Sequence, residues 1–265
     1  MNKKSEDINK KKLADTQKII SDIAKVKSWY HQITLTPGVV TPGVNDSAQV
    51  LKLLNIPKNC RGLKVLDLGA RDGFFSFELE KRGAQVLAVD YVPANSTGFD
   101  VAKKYLKSKT VQYRQDNIYN ITPQKYGTFD IVLFLGLLYH LPDPIRALKI
   151  VRSVTKKSLY IETQGIENSF LLPDGSFAQL SAVAPVLSST PIMQFYPKKT
   201  LNNDPSNYWA PNMACLVAML EETNFKVVSQ KVNGGRLIAE CVVSSDHFTE
   251  AIMDIAVGNK MPNSW

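Results

Sequence analysis

Cysteine is scarce in this chain of 265 residues: three occur, Cys60, Cys215 and Cys241, far apart. That spacing offers neither an even disulfide framework nor a zinc knuckle, and it fits a reducing compartment. Histidine is equally rare, with His31, His140 and His247. No two of them stand at ligand spacing on an expected helix, so no metal site is expected. Long apolar runs are missing too. The longest, residues 131–141, is too short to span a bilayer and already contains His140. The first thirty residues carry no apolar signal core, so the expectation is a cytoplasmic chain without a membrane partner. What is present is ordinary for a folded protein. At 44% hydrophobic and 21% charged residues, a disordered or collagen-like chain is excluded. The length allows one large domain or two small ones, at roughly 100–200 residues each.

The net charge of +8 is partly local, because residues 1–30 hold eight lysines against Glu6, Asp7, Asp15 and Asp22. A basic segment can dock on nucleic acid or an anionic surface. Here the lysines are interleaved with acids and no aromatic joins them before Trp29, which favours a solvated face.

Apolar periodicity predicts a helix over 5–30 and a short one over 47–54, separated by a Gly/Pro-punctuated loop from Gly38 to Gly43. Residues 1–56 are therefore expected to form an N-terminal helical cap, with the main domain over 57–265. The pattern then changes to short apolar strands alternating with helices. Strands are expected at 64–69, 85–90, 111–115, 129–136 and 158–162, with helices at 74–82 and 145–154. Nearly continuous apolar strands mean a parallel sheet covered on both faces. Residues 166–212 break the rhythm with six prolines (173, 185, 191, 197, 205 and 211). So long a connection reads as a lid or binding insertion. A helix over 212–223 follows, and two strands flanking Asn233-Gly-Gly235 read as an antiparallel hairpin.

In an open parallel sheet, ligands bind beyond the carboxyl ends of the strands. The first strand runs into Asp67-Leu-Gly69-Ala70-Arg-Asp-Gly73, where glycines permit a sharp turn and a close approach to a ligand. The second ends in Asp90, a carboxylate able to accept both hydroxyls of a ribose. The third leads to Asp116-Asn117, and the fourth to Leu135-Gly136 and then Tyr139-His140. A dinucleotide site wants Gly-x-Gly-x-x-Gly to seat a pyrophosphate. Here Arg71 stands inside the turn and that cradle is missing. S-adenosylmethionine carries ribose and adenine but no phosphate, and it suits the looser turn. Each acid also has a plain structural reading: Asp67 as a turn cap, Asp90 as a helix cap, Asp116 as a turn starter.

The residues Val65-Leu-Asp-Leu-Gly-Ala-Arg-Asp-Gly-Phe-Phe-Ser-Phe77, Phe129–His140 and Leu159-Tyr-Ile-Glu-Thr163 resemble the class I S-adenosylmethionine-dependent methyltransferases. Trp29-Tyr30-His31, the loop 38–43, Phe195-Tyr196-Pro and residues 204–212 are similar to the branch containing the tRNA wobble-uridine carboxymethyl-transferring enzymes. The resemblance implies a Rossmann-like, doubly wound α/β fold with a seven-stranded sheet, mostly parallel, closed by an antiparallel C-terminal hairpin. It implies that Asp67, Gly69, Ala70 and Gly73 hold the methionine part of the cofactor and Asp90 the ribose. Asp116 and Asn117 would face the adenine, with Leu135 and Gly136 near the sulfonium. Either S-adenosylmethionine or its carboxylated form fits that reading; the latter would need a cation, for which Arg71 and Arg236 are candidates.

His140 is the histidine beside this site and is the candidate general base; a histidine packed beside Pro142 is the bland alternative. Trp29, Tyr30, His31, Tyr139, Tyr196, Tyr208 and Trp209 are candidates for the acceptor wall, although aromatics in the insertion could instead pin it to the core. The acceptor is expected to be an oxygen or nitrogen nucleophile. It could belong to a small molecule or to tRNA. A cofactor-binding protein without catalysis is the third reading.

Overall fold

A computed structural model describes residues 3–244, with side chains from residue 13 onward; His247, to which no role attaches, lies outside the described residues. One sheet of seven strands dominates the fold. The strands are β1 (Lys64–Leu68), β2 (Gln85–Asp90), β3 (Gln112–Gln115), β4 (Phe129–Leu135), β5 (Thr155–Gln164), β6 (Phe225–Asn233) and β7 (Arg236–Val243). Their spatial order is β3-β2-β1-β4-β5-β7-β6. The first five run parallel, while β7 is antiparallel to both β5 and β6. This is the Rossmann-like α/β sheet with a reversed C-terminal hairpin that the sequence predicts.

Side chains alternate across the sheet, and each face closes its own core. One face packs Val65, Ile131 and Leu133 against α3 (Phe74–Lys81) and α4 (Phe99–Leu106), together with Ile19 and Ile23 of α1 (Lys3–Ala24). The other packs Leu66, Val132 and Phe134 against Leu148 and Val151 of α5 (Pro144–Val154) and Leu216 and Leu220 of α6 (Met213–Glu222). Fully burying such a side chain contributes about 1.5–3 kcal/mol. The N-terminal segment up to Ile56 shares the first of these cores.

Three elements differ from the sequence reading. The first helix stops at Ala24 rather than near residue 30. Trp29 turns inward, and its indole N–H donates to the Ile23 carbonyl (3.1 Å) near the helix end. The same indole packs on Gly98, where a Cβ would stand 2.0 Å from the ring. Second, α4 has no counterpart in the predicted elements: it is two turns long and a turn-rich stretch precedes it, although Phe99, Ala102, Tyr105 and Leu106 stand at helical spacing and pack on the core. Third, the insertion has structure of its own. Two short antiparallel ladders, Phe170–Leu171 with Phe177–Ala178 and Met193–Phe195 with Trp209–Pro211, surround a small core of Ile166, Leu180, Tyr196, Leu201 and Ala210.

The strand order reverses between β1 and β4. At such a point the two following connections leave to opposite faces and open a crevice at the strand tips.

Candidate active site

A cavity of about 660 Å³ opens at that crevice, within the range of a nucleoside-sized ligand. Asp67, Gly69, Ala70 and Asp90 bound it from the first two strands. Asp116 and Asn117 bound it after β3, and Leu135 and Gly136 after β4. The opposite wall comes from Tyr30, His31, Tyr139 and His140, with Asp204 and Ser206 from the insertion.

The turn after β1 is fixed by its backbone. Gly69 (φ 75°) donates its N–H to the Val89 carbonyl (2.8 Å), and Arg71 adopts a left-handed conformation (φ 51°). The Arg71 N–H then donates to Asp90 Oδ2 (2.9 Å), while Oδ1 accepts from Val92 N–H (3.3 Å). A carboxylate has about four acceptor positions, so Asp90 retains capacity for ligand hydroxyls. Asp67 is buried and accepts from the Ser76 hydroxyl (2.6 Å). Burial pushes its carboxyl up to about 6, and the nearby Asp90 charge adds to this. A ligand cation at this position would favour the ionised form.

Gly73 does not line the cavity. Its φ of 85° and the Phe99 ring, 2.7 Å from where a Cβ would stand, make it a turn and packing residue. Asp116 lines the cavity, yet its four acceptor positions are taken. Oδ1 accepts from Asn117 N–H (2.8 Å) and Asn120 Nδ2 (2.9 Å), and Oδ2 from Lys125 Nζ (2.6 Å) and the Tyr126 hydroxyl. Lys125 and then Tyr126 hold this carboxyl far below the usual range. The Asn117 side chain accepts from Tyr119 N–H (3.0 Å) and caps a short helical turn.

Of the expected acceptor wall, Tyr30, His31 and Tyr139 are on the cavity; Trp29, Tyr196, Tyr208 and Trp209 are not. Trp29 is committed to the core, and Tyr196 is 1% exposed inside the insertion. Tyr208 N–H donates to the Tyr139 carbonyl (2.8 Å), and the Phe195 and Trp209 rings pack at 4.9 Å. These aromatics pin the insertion.

Further residues organise the wall formed by Tyr30, His31, Tyr139 and His140. Asp72 is fully buried; Oδ2 accepts from the backbone N–H groups of Tyr30 (2.7 Å) and His31 (2.8 Å), and Oδ1 from Gly98 N–H (2.8 Å). It fastens the N-terminal segment to the β1 turn. His31 Nδ1 lies 3.8 Å from Asp72 Oδ2. Desolvation nevertheless pulls the His31 imidazole down to about 4 against that charge, so it is neutral at pH 7. Glu162, near the end of β5, is buried and 3.4 Å from Arg236 Nε. Burial raises its carboxyl against the opposing pull of Arg236. Glu162 stands at the tip of the fifth strand, inside the Leu159–Thr163 run that the sequence marks. His140 Nδ1 lies 2.9 Å from Ser206 Oγ and 3.2 Å from the Ser206 carbonyl, and the Ser206 hydroxyl donates to Asp204 Oδ1 (2.7 Å). Asp204-Pro-Ser206 carries the Asx-turn signature and opens the stretch 204–212 that the sequence marks.

Residues 46–230 match the family described as a methyltransferase domain. A ubiquinone biosynthesis O-methyltransferase of Xanthomonas campestris pv. campestris is 31% identical over 106 residues, 38% of this chain and 43% of that protein. A tRNA U34 carboxymethyltransferase of Campylobacter hominis is 31% identical over 145 residues, 52% of this chain and 50% of that protein. The chain thus spans half or less of the length of these curated relatives. Among solved structures, the N-terminal domain of EvdMO1, crystallised with SAH and D-fucose, aligns with a TM-score of 0.60 at 17% identity. That alignment covers 88% of this chain and 97% of that one, and it supports the fold. Among the described residues no helix is long and apolar enough to cross a membrane, and no group of three metal-ligating side chains occurs.

Proposed function

The chain belongs to the methyltransferase-domain family, and on that premise we propose that it is an S-adenosylmethionine-dependent methyltransferase acting on an oxygen or nitrogen of a small molecule. The observation that carries the reading is Asp90, ending β2 at the edge of a 660 Å³ cavity with carboxylate acceptor positions still open. Asp67, shielded from water in the same cavity, suits the ammonium of such a ligand. S-adenosylmethionine, when bound, supplies a methyl group activated by its sulfonium.

The chain's own tasks are alignment, exclusion of water and removal of a proton. Tyr30, His31 and Tyr139 close one wall and keep solvent from the strand tips. His140 would take the proton that the acceptor oxygen or nitrogen gives up on methylation. Burial lowers the His140 imidazole from its ordinary value, and the Ser206 carbonyl and Asp204 partly offset this. It is therefore available as a base at neutral pH.

A carboxylated cofactor needs a cation at the cavity, and of the two candidates Arg71 lines it. Arg236 lies off the cavity lining, is paired with Glu162, and covers the Tyr139 ring at 5.0 Å. A tRNA acceptor is the second reading, supported by the longer alignment with the carboxymethyltransferase relative and by the lysine-rich N-terminus. Filter binding across a salt series separates the two, because tRNA binding would fall steeply with salt. Isothermal titration with S-adenosylhomocysteine tests the cofactor. Asp90→Ala is expected to weaken binding about 100-fold, the loss of two charged hydrogen bonds; unchanged affinity removes the ribose assignment.

A further inference from the structure

We propose that Asp204 and Ser206, both carried by the insertion, are positioning residues that fix His140 in the tautomer a general base needs. The inference rests on the reading of His140 as the proton acceptor, and it adds a catalytic duty to the insertion.

The argument follows the hydrogens. The Ser206 carbonyl, 3.2 Å from His140 Nδ1, can only accept. The Ser206 hydroxyl, 2.9 Å from the same nitrogen, has one hydrogen. That hydrogen points to Asp204 Oδ1 at 2.7 Å, and the same oxygen accepts the Ser206 N–H at 2.8 Å. Burial alone would raise the Asp204 carboxyl, but the two Ser206 donors and His140 hold it below the usual range, so it stays an ionised acceptor. Every group facing Nδ1 therefore accepts, and Nδ1 must carry the ring hydrogen. The lone pair is left on Nε2. A histidine whose second nitrogen is held by an acceptor is oriented and has a defined tautomer.

The charges around the ring come from three places. Asp204 on the insertion favours the imidazolium, while Arg236 on β7 and Arg71 after β1 oppose it. The Tyr139 ring packs on the imidazole with centroids 4.1 Å apart. The insertion supplies the carboxylate of this set. By packing on the helical turn 138–140, through Tyr208 N–H on the Tyr139 carbonyl and Ser206 on His140, it also completes the base. The segment that covers the acceptor thus also arms the residue that deprotonates it.

Long-range ¹H–¹⁵N correlation spectra of the ¹⁵N-labelled full chain test this without an acceptor or cofactor. With three histidines in the sequence, His140→Gln identifies the relevant signals by their loss. The expected wild-type result above the imidazole pKa is a protonated Nδ1 and an unprotonated Nε2. Asp204→Ala should lower the His140 pKa by about half a unit to one unit for the lost charge; Ser206→Ala should lower it by less, since the residue 206 carbonyl stays on Nδ1, and Ser206→Thr should restore it. A wild-type Nε2–H tautomer, or a pKa unmoved in both alanine variants, overturns the proposal. The wild-type tautomer decides the matter even if a variant does not fold. Calorimetry with S-adenosylhomocysteine on the wild-type chain tests the cofactor reading separately, so the two can fail independently.

Discussion

The two walls of the cavity are built in different ways. The wall at the strand tips is local: Arg71 N–H meets Asp90 across 19 residues of one β-α-β unit, and Ser76 reaches Asp67 across nine. The facing wall is assembled from afar. Asp72 receives Tyr30 N–H across 42 residues, and His140 meets Ser206 across 66. Short-range turns can hold a common ligand with little help from the rest of the chain. The wall proposed to meet the acceptor depends on tertiary contacts, where a few buried polar groups carry the alignment.

The largest effect should come from cutting the facing wall at its anchor. Asp72→Ala leaves three backbone N–H groups without their acceptor, at about 1–3 kcal/mol each. A loss of about 3–9 kcal/mol is expected, which at about 2–4 °C per kcal/mol is a fall in Tm of about 6 °C or more. Differential scanning calorimetry reads it directly, and a Tm within about 2 °C of wild type would mean that apolar packing alone holds the segment.

The local wall should respond in function and gain in stability. The Asp67 carboxyl sits near 6 in the folded chain against 3.8 as its ordinary value. Its ionisation therefore costs stability as pH rises through that window and beyond. Asp67→Asn should raise the stability of the ligand-free chain at pH 8 by up to about 2–3 kcal/mol, measured by urea unfolding. The same change should weaken S-adenosylhomocysteine binding. In the wild-type chain, affinity should fall as pH drops below about 6, by up to about tenfold per unit. An affinity flat from pH 5 to 8 would separate Asp67 from the ligand's cation.

The smallest effect is expected at Asp116. Its oxygens already serve Asn117, Asn120, Lys125 and Tyr126, so Asp116→Asn should change S-adenosylhomocysteine affinity by less than about threefold, under 1 kcal/mol. A loss equal to that of Asp90→Ala would mean the adenine displaces one of those donors.

The same division explains what could be read from the sequence. β1, β2 and β4 are short apolar runs ended by Gly or Asp, and their tips name Asp67, Gly69, Asp90 and Gly136 without further information. Helix α4 carries an apolar period in Phe99, Ala102, Tyr105 and Leu106, but it is only two turns long and follows the turn-rich stretch 91–98, which masks its start. Asp72 sits between Arg71 and Gly73, where an acid looks like any turn residue; only the approach of residues 30, 31 and 98 gives it a role. The aromatics of the insertion are legible as a cluster that could line or pin; only the packing of Tyr196 with Ile166 and Leu201 assigns it the second role.

The contact between Trp29 and Gly98 carries a consequence for how such a chain can drift. With the indole 2.0 Å from any added Cβ, neither position can enlarge alone. A change at 98 becomes tolerable once a smaller residue has replaced the indole. Descendants of this sequence should therefore inherit the two positions as a linked pair, and a library randomising both at once should recover folded combinations that single substitutions never reach.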